Sequence, residues 1–189
     1  VIIPPTIQLT GLRLRPLRVE DAVAWHSYLN DPAVIEWTSY PIMSRAEVGS
    51  MIERCRAGYA TGTSCTWALT AADDRLRGTC GFCRLSRAAG VAELAYDLAR
   101  PWWGRGYMSQ AVGACVDWVF GWPEFDRVEA HVMVGNHRSK RVLERARFGR
   151  KALLKAYRTC RGQPRDYHLF TLSRAEWQVG RRSRPTSVE

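Results

Sequence analysis

The chain is short of several things, and each shortage narrows what it can be. None of its 189 residues belongs to an apolar run long enough to span a bilayer. No basic-then-apolar leader stands at the N-terminus, so a cytoplasmic protein without a membrane partner is expected. Lysine is scarce, with 25 of the 28 basic residues being arginine, a bias that genome composition explains as readily as function. Acidic residues number 18, leaving a net charge of +10 that suits an anionic cofactor, nucleic acid or a ribosomal setting without choosing among them. The six cysteines (55, 65, 80, 83, 115 and 160) have neither a disulfide framework nor paired metal-ligand spacing. The one CxxC, Cys80-Gly-Phe-Cys83, falls in an apparent strand, where positions three apart face opposite sides. No metal site is expected there, and reduced thiols packed as small apolar groups are. Internal repeats and linkers are also absent. Residues 1–178 therefore read as one domain, and 179–189, with Arg181-Arg-Ser-Arg-Pro-Thr-Ser, as a basic, disordered tail.

What is present is organised around residues 91–120. Val91–Leu98 has the apolar character of a strand, with Leu94, Tyr96 and Leu98 on one face and Glu93, Ala95 and Asp97 on the other. Pro101, Gly104 and Gly106 end it. Ala111, Val112, Cys115, Val116 and Val119 then recur at helical spacing from Tyr107 to Phe120. A glycine turn entering a helix leaves backbone N–H groups unpaired at the positive end of the helix dipole, which makes an anion site. A tight turn that binds nothing has the same sequence, and a short Gly-x-Gly does not separate the two.

Around this centre the chain reads as alternating elements. A first strand spans Leu9–Leu17, a helix Val19–Leu29, and a short second helix Pro32–Ser39. Ser44-Arg-Ala-Glu47 is a capping box opening a helix that should end at Gly58. Strands follow at Ser64–Ala71 and Leu76–Ser86, joined by a turn at Asp73-Asp74. Arg127–Val134 alternates strictly, with Val128, Ala130 and Val132 opposite Glu129, His131 and Met133. Asn136 can cap a helix running to Arg147, with Gly149 ending it. A hairpin, Lys151–Cys160 with Asp166–Leu172, and a capped terminal turn at Ser173–Trp177 complete the domain. The order implies a mixed α/β sheet with helices on both faces.

Glu93-Leu-Ala-Tyr-Asp-Leu, Trp102-Trp-Gly-Arg-Gly-Tyr107, Asn136-His-Arg-Ser139 and Arg141-Val-Leu-Glu-Arg-Ala-Arg-Phe148, in this order, resemble the GNAT acetyltransferases. The Rim-type branch, named for N-terminal acetylation of ribosomal proteins, is the most similar, and the resemblance covers residues 9–178. It implies a single GNAT-like domain whose twisted sheet of about seven strands is splayed at an acetyl-CoA site. The pyrophosphate would lie on the backbone of Trp103, Gly104, Arg105, Gly106, Tyr107 and Met108, with Ser109 adding a hydroxyl. A bulge near Leu98 would let the pantetheine pair with Leu98, Ala99 and Arg100, and an N–H there would polarise the thioester. Asn136 would hydrogen-bond the pantetheine.

Two positions depart from the family pattern. Pro101 stands where Gln or Arg often opens the pyrophosphate motif, and Leu143 stands where many relatives carry an acidic tyrosine. Ser139 is then the substitute proton donor to the thiolate, unless it only bonds locally at the helix start. Glu93 is the candidate general base, unless it only pairs a nearby arginine, and His131 is the runner-up. The acceptor implied is a primary amine, foremost the α-amine of a ribosomal or other protein N-terminus. A small-molecule amine or an aminoacyl group fits the same donor motifs. Residues 37–41 and the 159–166 hairpin, with Trp37, Tyr40, Arg161 and Arg165, would flank its entrance. A nucleic-acid- or ribosome-binding module with a sensory CoA pocket is the contrasting reading. The glycine turn, Asn136 and Ser139 speak against it and against direct nucleic-acid binding. Either a monomer or a homodimer fits.

Overall fold

The computed structural model describes residues 1–182. Its elements are β1 (Ile7–Leu9), β2 (Leu12–Pro16), α1 (Asp21–Leu29), α2 (Pro32–Ile35), α3 (Arg45–Thr61), β3 (Cys65–Thr70), β4 (Leu76–Ser86), β5 (Val91–Leu98), α4 (Tyr107–Val119), β6 (Arg127–Met133), α5 (His137–Arg145), β7 (Gly149–Cys160), β8 (Gln163–Ser173) and α6 (Arg174–Arg182). A 3₁₀ turn at Arg100–Trp102 lies between β5 and α4. The strands form one sheet in the order β1-β2-β3-β4-β5-β6-β8-β7. Every pairing is antiparallel except β5 with β6, the two strands that α4 connects. None of the described helices is long and apolar enough to cross a membrane.

Helices cover both faces because each presents one apolar stripe. Met108, Ala111, Val112, Cys115, Val116 and Val119 of α4 and Leu143 of α5 pack with Leu14, Trp67, Phe82 and Val128. On the opposite face Trp25, Tyr28 and Leu29 of α1 and Val48, Met51 and Ile52 of α3 pack with Leu17, Ala68 and Leu76. The strand alternation thus feeds two cores, as a sheet covered on both sides requires. The buried Arg15 is clamped by Asp21, with Nη1–Oδ2 at 2.8 Å and Nη2–Oδ1 at 2.7 Å, and by Asp74 at 2.7 Å.

Four boundaries differ from the sequence reading. Gly11, with φ of 75°, folds the expected first strand into a hairpin, so the sheet has eight strands where about seven were expected. Helix α3 runs through Gly58 to Thr61, and Gly62 in the left-handed region ends it. Gly58 is there because Ser64 approaches too closely for any side chain. Gly149 opens β7 and does not end α5; the chain reverses at Arg147, with φ of 68°. Of the expected tail, residues 179–182 continue α6, and 183–189 lie outside the described residues.

Candidate active site

The site begins at the turn between β5 and α4. Gly104 and Gly106 both have φ of 77°, a conformation that costs a side-chain-bearing residue about 1–2 kcal/mol. A Cβ at either position would meet nothing within 4 Å, so the backbone there faces open space. Gly106 caps α4 without a side chain, and the first N–H groups of the helix, at Tyr107, Met108 and Ser109, have no carbonyl of their own helix to bond. The Ser109 hydroxyl is buried with no hydrogen-bond partner. Free N–H groups, room above them, a partnerless hydroxyl and the positive end of a 13-residue helix together fit a pyrophosphate. Arg138 of α5 lies over the Trp103 ring at 4.7 Å, adding a cation beside this turn.

Below the turn the sheet opens. The β5–β6 ladder runs only from Val91↔Arg127 to Leu94↔Ala130, although both strands continue. The resulting wedge leads into a cavity of about 700 Å³ that passes from Gly104 and Ser109, between Tyr96–Leu98 and His131–Met133, to Trp37, Tyr40 and Arg158. The expected bulge near Leu98 is not there. The β4–β5 ladder is regular from Phe82↔Leu94 to Gly78↔Leu98, and its irregularity lies at Cys83, opposite Glu93 and Leu94. The backbone near Leu98 is partly occupied as well. Leu98 O accepts from Trp103 Nε1 at 2.7 Å and Ala99 N–H donates to Arg77 O at 2.8 Å. Alternation along the strand turns the N–H groups of Tyr96 and Leu98 toward the wedge. Ala99, Arg100 and Arg105 do not line the cavity, whereas the other residues expected at the cofactor do.

Glu93 and His131 meet across the β5–β6 seam. Glu93 is buried, 8% exposed, with its Oε1 3.2 Å from His131 Nδ1 and 2.8 Å from Arg158 Nη2; Arg84 Nε is 3.3 Å from Oε2. The His131 hydrogen bond, then the nearby Arg158, hold the Glu93 carboxyl down at about 2, against the opposing effect of burial. A carboxylate held this low is a weak proton acceptor. With Nδ1–H donated to Glu93, the imidazole presents its Nε2 lone pair. The ring also stacks on Tyr157 at 4.7 Å.

On the other side of the wedge Ser139 Oγ lies 2.7 Å from the Tyr96 hydroxyl. Burial pushes the Tyr96 phenol well above its ordinary range, so it stays protonated and can act as a hydrogen-bond donor. Asn136 Oδ1 accepts from Ser139 N at 3.0 Å, capping α5, which leaves its amide NH₂ for the cavity. Trp37 and Tyr40 line the cavity; Arg161 instead donates to the carbonyls of Glu36, Thr38 and Tyr40. Sequence reasoning missed Tyr96 and Arg158. Tyr96 reads as one more apolar position of its strand, and Arg158 as one of 25 arginines. Cys80 is buried and Cys83 exposed, with Cys80 Sγ 3.6 Å from Cys115 Sγ, so the CxxC pair is divided as its strand position requires.

Known proteins share this fold and much of this sequence pattern. Residues 11–149 match the acetyltransferase (GNAT) domain family. The chain is 30% identical over 174 residues to the uncharacterized N-acetyltransferase p20 of Bacillus licheniformis, covering 91% of this chain and 98% of that one. It is 27% identical over 190 residues to the [ribosomal protein uS5]-alanine N-acetyltransferase of Escherichia coli (strain K12), covering 94% and 96%. The solved structure of Mycobacterium smegmatis RimJ in complex with CoA-disulfide superposes with a TM-score of 0.79 at 24% identity, over 94% of this chain and 93% of that one. The match across residues 11–149, on the elements that form the glycine turn and the splayed sheet, makes this chain an acetyltransferase of the GNAT family.

Proposed function

We propose that the protein transfers an acetyl group from acetyl-CoA to the α-amine of a protein or peptide N-terminus. The observation that carries this is the single cavity joining the glycine turn to the Glu93–His131 pair through the splay of β5 from β6. Acetyl-CoA supplies the activated thioester. Its pyrophosphate fits the N–H groups of residues 107–109, the hydroxyl of Ser109 and the cation of Arg138, and its pantetheine fits the wedge with the N–H groups of Tyr96 and Leu98 and the amide of Asn136.

The acceptor amine enters from the Trp37–Tyr40 side. His131, held in one tautomer by Glu93, receives its proton directly or through a water. The amine attacks the thioester carbonyl, and the Leu98 N–H supports the developing oxyanion. The Ser139 hydroxyl gives its proton to the departing sulfur, and the Tyr96 hydroxyl, 2.7 Å from Ser139 Oγ, relays a replacement proton from solvent. The charge balance near the amine supports an α-amine. Arg158 balances the Glu93 charge, with the exposed Arg84 further out, so the cluster offers no net negative charge to hold an ammonium. An α-amine, with pKa about 8, loses its proton more readily than a lysine at about 10.4. The uS5-alanine acetyltransferase relative supports the same acceptor class.

The test is a CoA-release assay on peptides with varied first residues, beside Nα-acetyl-lysinamide, polyamines, free amino acids and aminoglycosides. Turnover of peptides with free α-amines is expected. Turnover confined to small amines would reject the protein acceptor and leave the donor chemistry standing.

A further inference from the structure

The β7–β8 ladder slips between Leu154 and Arg158, so residues 155–157 bulge opposite the single residue Asp166. Ala156, at the centre of the bulge, has φ of 47°, a strained conformation for alanine. Asp166 closes the bulge. Its Oδ1 accepts from Ala156 N at 2.8 Å, and its Oδ2 pairs with Lys155 Nζ at 3.0 Å. The hairpin tip is fastened separately, by Arg161 to the carbonyls of Glu36, Thr38 and Tyr40. Between these two anchors the bulge turns Tyr157 onto the His131 ring and brings Arg158 Nη2 to 2.8 Å from Glu93 Oε1. The Arg158 guanidinium lies over the rings of Tyr157 at 5.3 Å and Tyr167 at 5.6 Å, which fixes its plane.

We propose that Arg158 is a positioning residue for proton transfer. The bulge closed by Asp166 sets its guanidinium on Glu93 Oε1, so that Glu93 remains a carboxylate orienting His131 and does not itself take the acceptor's proton. This rests on the reading of His131 as proton acceptor. Each element packed against Glu93 contributes a group: Cys83 and Arg84 from β4, His131 from β6, Tyr157 and Arg158 from β7, and Tyr167 from β8. The Cys83 thiol donates to the Glu93 backbone carbonyl at 3.4 Å. Arg84 is 61% exposed and its pairing is screened by water. Arg158, 36% exposed, makes the closer of the two guanidinium contacts, at 2.8 Å against 3.3 Å, and adds its charge to the hydrogen bond from His131.

The experiment follows the Glu93 carboxyl by ¹³C NMR in the full chain, with Glu93→Gln assigning the resonance. In the parent the signal stays that of a carboxylate from about pH 7 to pH 4. In Arg158→Met the titration moves up by about two units, within the range of one to three for a lost neighbouring charge, so that protonation of the carboxyl becomes visible at the acid end of that window. Arg158→Lys keeps the trace of the parent. Asp166→Ala, which opens the bulge but retains Arg158, shifts the titration in the same direction by less. Parent-like traces in both Arg158→Met and Asp166→Ala would overturn the proposal. If Arg158→Met does not fold, Asp166→Ala alone decides. The readout needs neither acceptor nor turnover, so it fails independently of the acceptor reading.

Discussion

Glu93 and His131 are joined side chain to side chain, and either could take a proton in another setting. A lone glutamate on a central strand is a natural base, but the hydrogen bond from His131 and the charge of Arg158 hold this one down at about 2. Such a group contributes stability above its unfolded pKa of about 4.3, and that contribution is lost as pH falls through the folded value. The melting-temperature difference between the parent and Glu93→Gln is therefore expected to be constant above about pH 5 and to shrink below it. A difference that grows toward acid pH would show that Glu93 is not held ionised. His131→Gln is expected to lower kcat by about 10²–10⁴-fold, the usual range for a lost general base, with acetyl-CoA affinity unchanged. An unaltered kcat would return the proton to Glu93 or to water. Neither geometry could be read from single residues: Glu93 and His131 are 38 positions apart, and only the β5–β6 register brings them together.

Among the elements, β2 and α1 illustrate how a charge can organise packing. Arg15 is 4% and Asp21 5% exposed, joined by two hydrogen bonds, with Asp74 of the β3–β4 turn as third member. The paired carboxylates push the Arg15 guanidinium above its already high range, so the guanidinium is charged at every working pH. Asp21→Ala leaves that cation buried and half-paired, and is expected to destabilise the fold by about 3–5 kcal/mol. For a chain of this size that lowers the melting temperature by on the order of 10 °C. A loss near zero in a thermal melt would mean that water replaces Asp21 without cost. The alternating Leu-Arg-Leu-Arg of residues 12–15 is by itself the pattern of a strand with one wet face. Arg15 is nonetheless buried, because α1 and the Asp74 turn close over it.

At the scale of the whole molecule, acetyl-CoA bound in the proposed wedge is expected to stabilise the folded chain. A ligand at a hundred times its Kd stabilises by about 2.7 kcal/mol. This predicts a rise in melting temperature of roughly 5–10 °C for a chain of this length. Gly104→Asp and Gly106→Asp place a negative charge in the pyrophosphate space and should abolish the rise. Gly106→Ala should lower the baseline through backbone strain at φ of 77° and keep most of the rise. An undiminished rise in both aspartate variants, followed by differential scanning fluorimetry, would displace the phosphate site from this turn. The glycine turn was legible because helix-start geometry is local: a few backbone N–H groups and two left-handed glycines suffice. The succession of elements along the chain and the capping box at Ser44 were legible for the same reason, since period and cap chemistry act over a few residues. The hairpin at Gly11, the passage of α3 through Gly58, the bulge opposite Asp166 and the pairing of Tyr96 with Ser139 were decided only in the tertiary structure. Each depends on an atom brought close from elsewhere in the fold, or on a small backbone choice whose local alternatives differ by about a kilocalorie. The sequence by itself therefore determined a glycine turn entering a helix, because that geometry is local, while the contacts across β5, β6 and the β7–β8 hairpin decided which side chains meet in the cavity beside it, because those contacts join residues far apart in the chain.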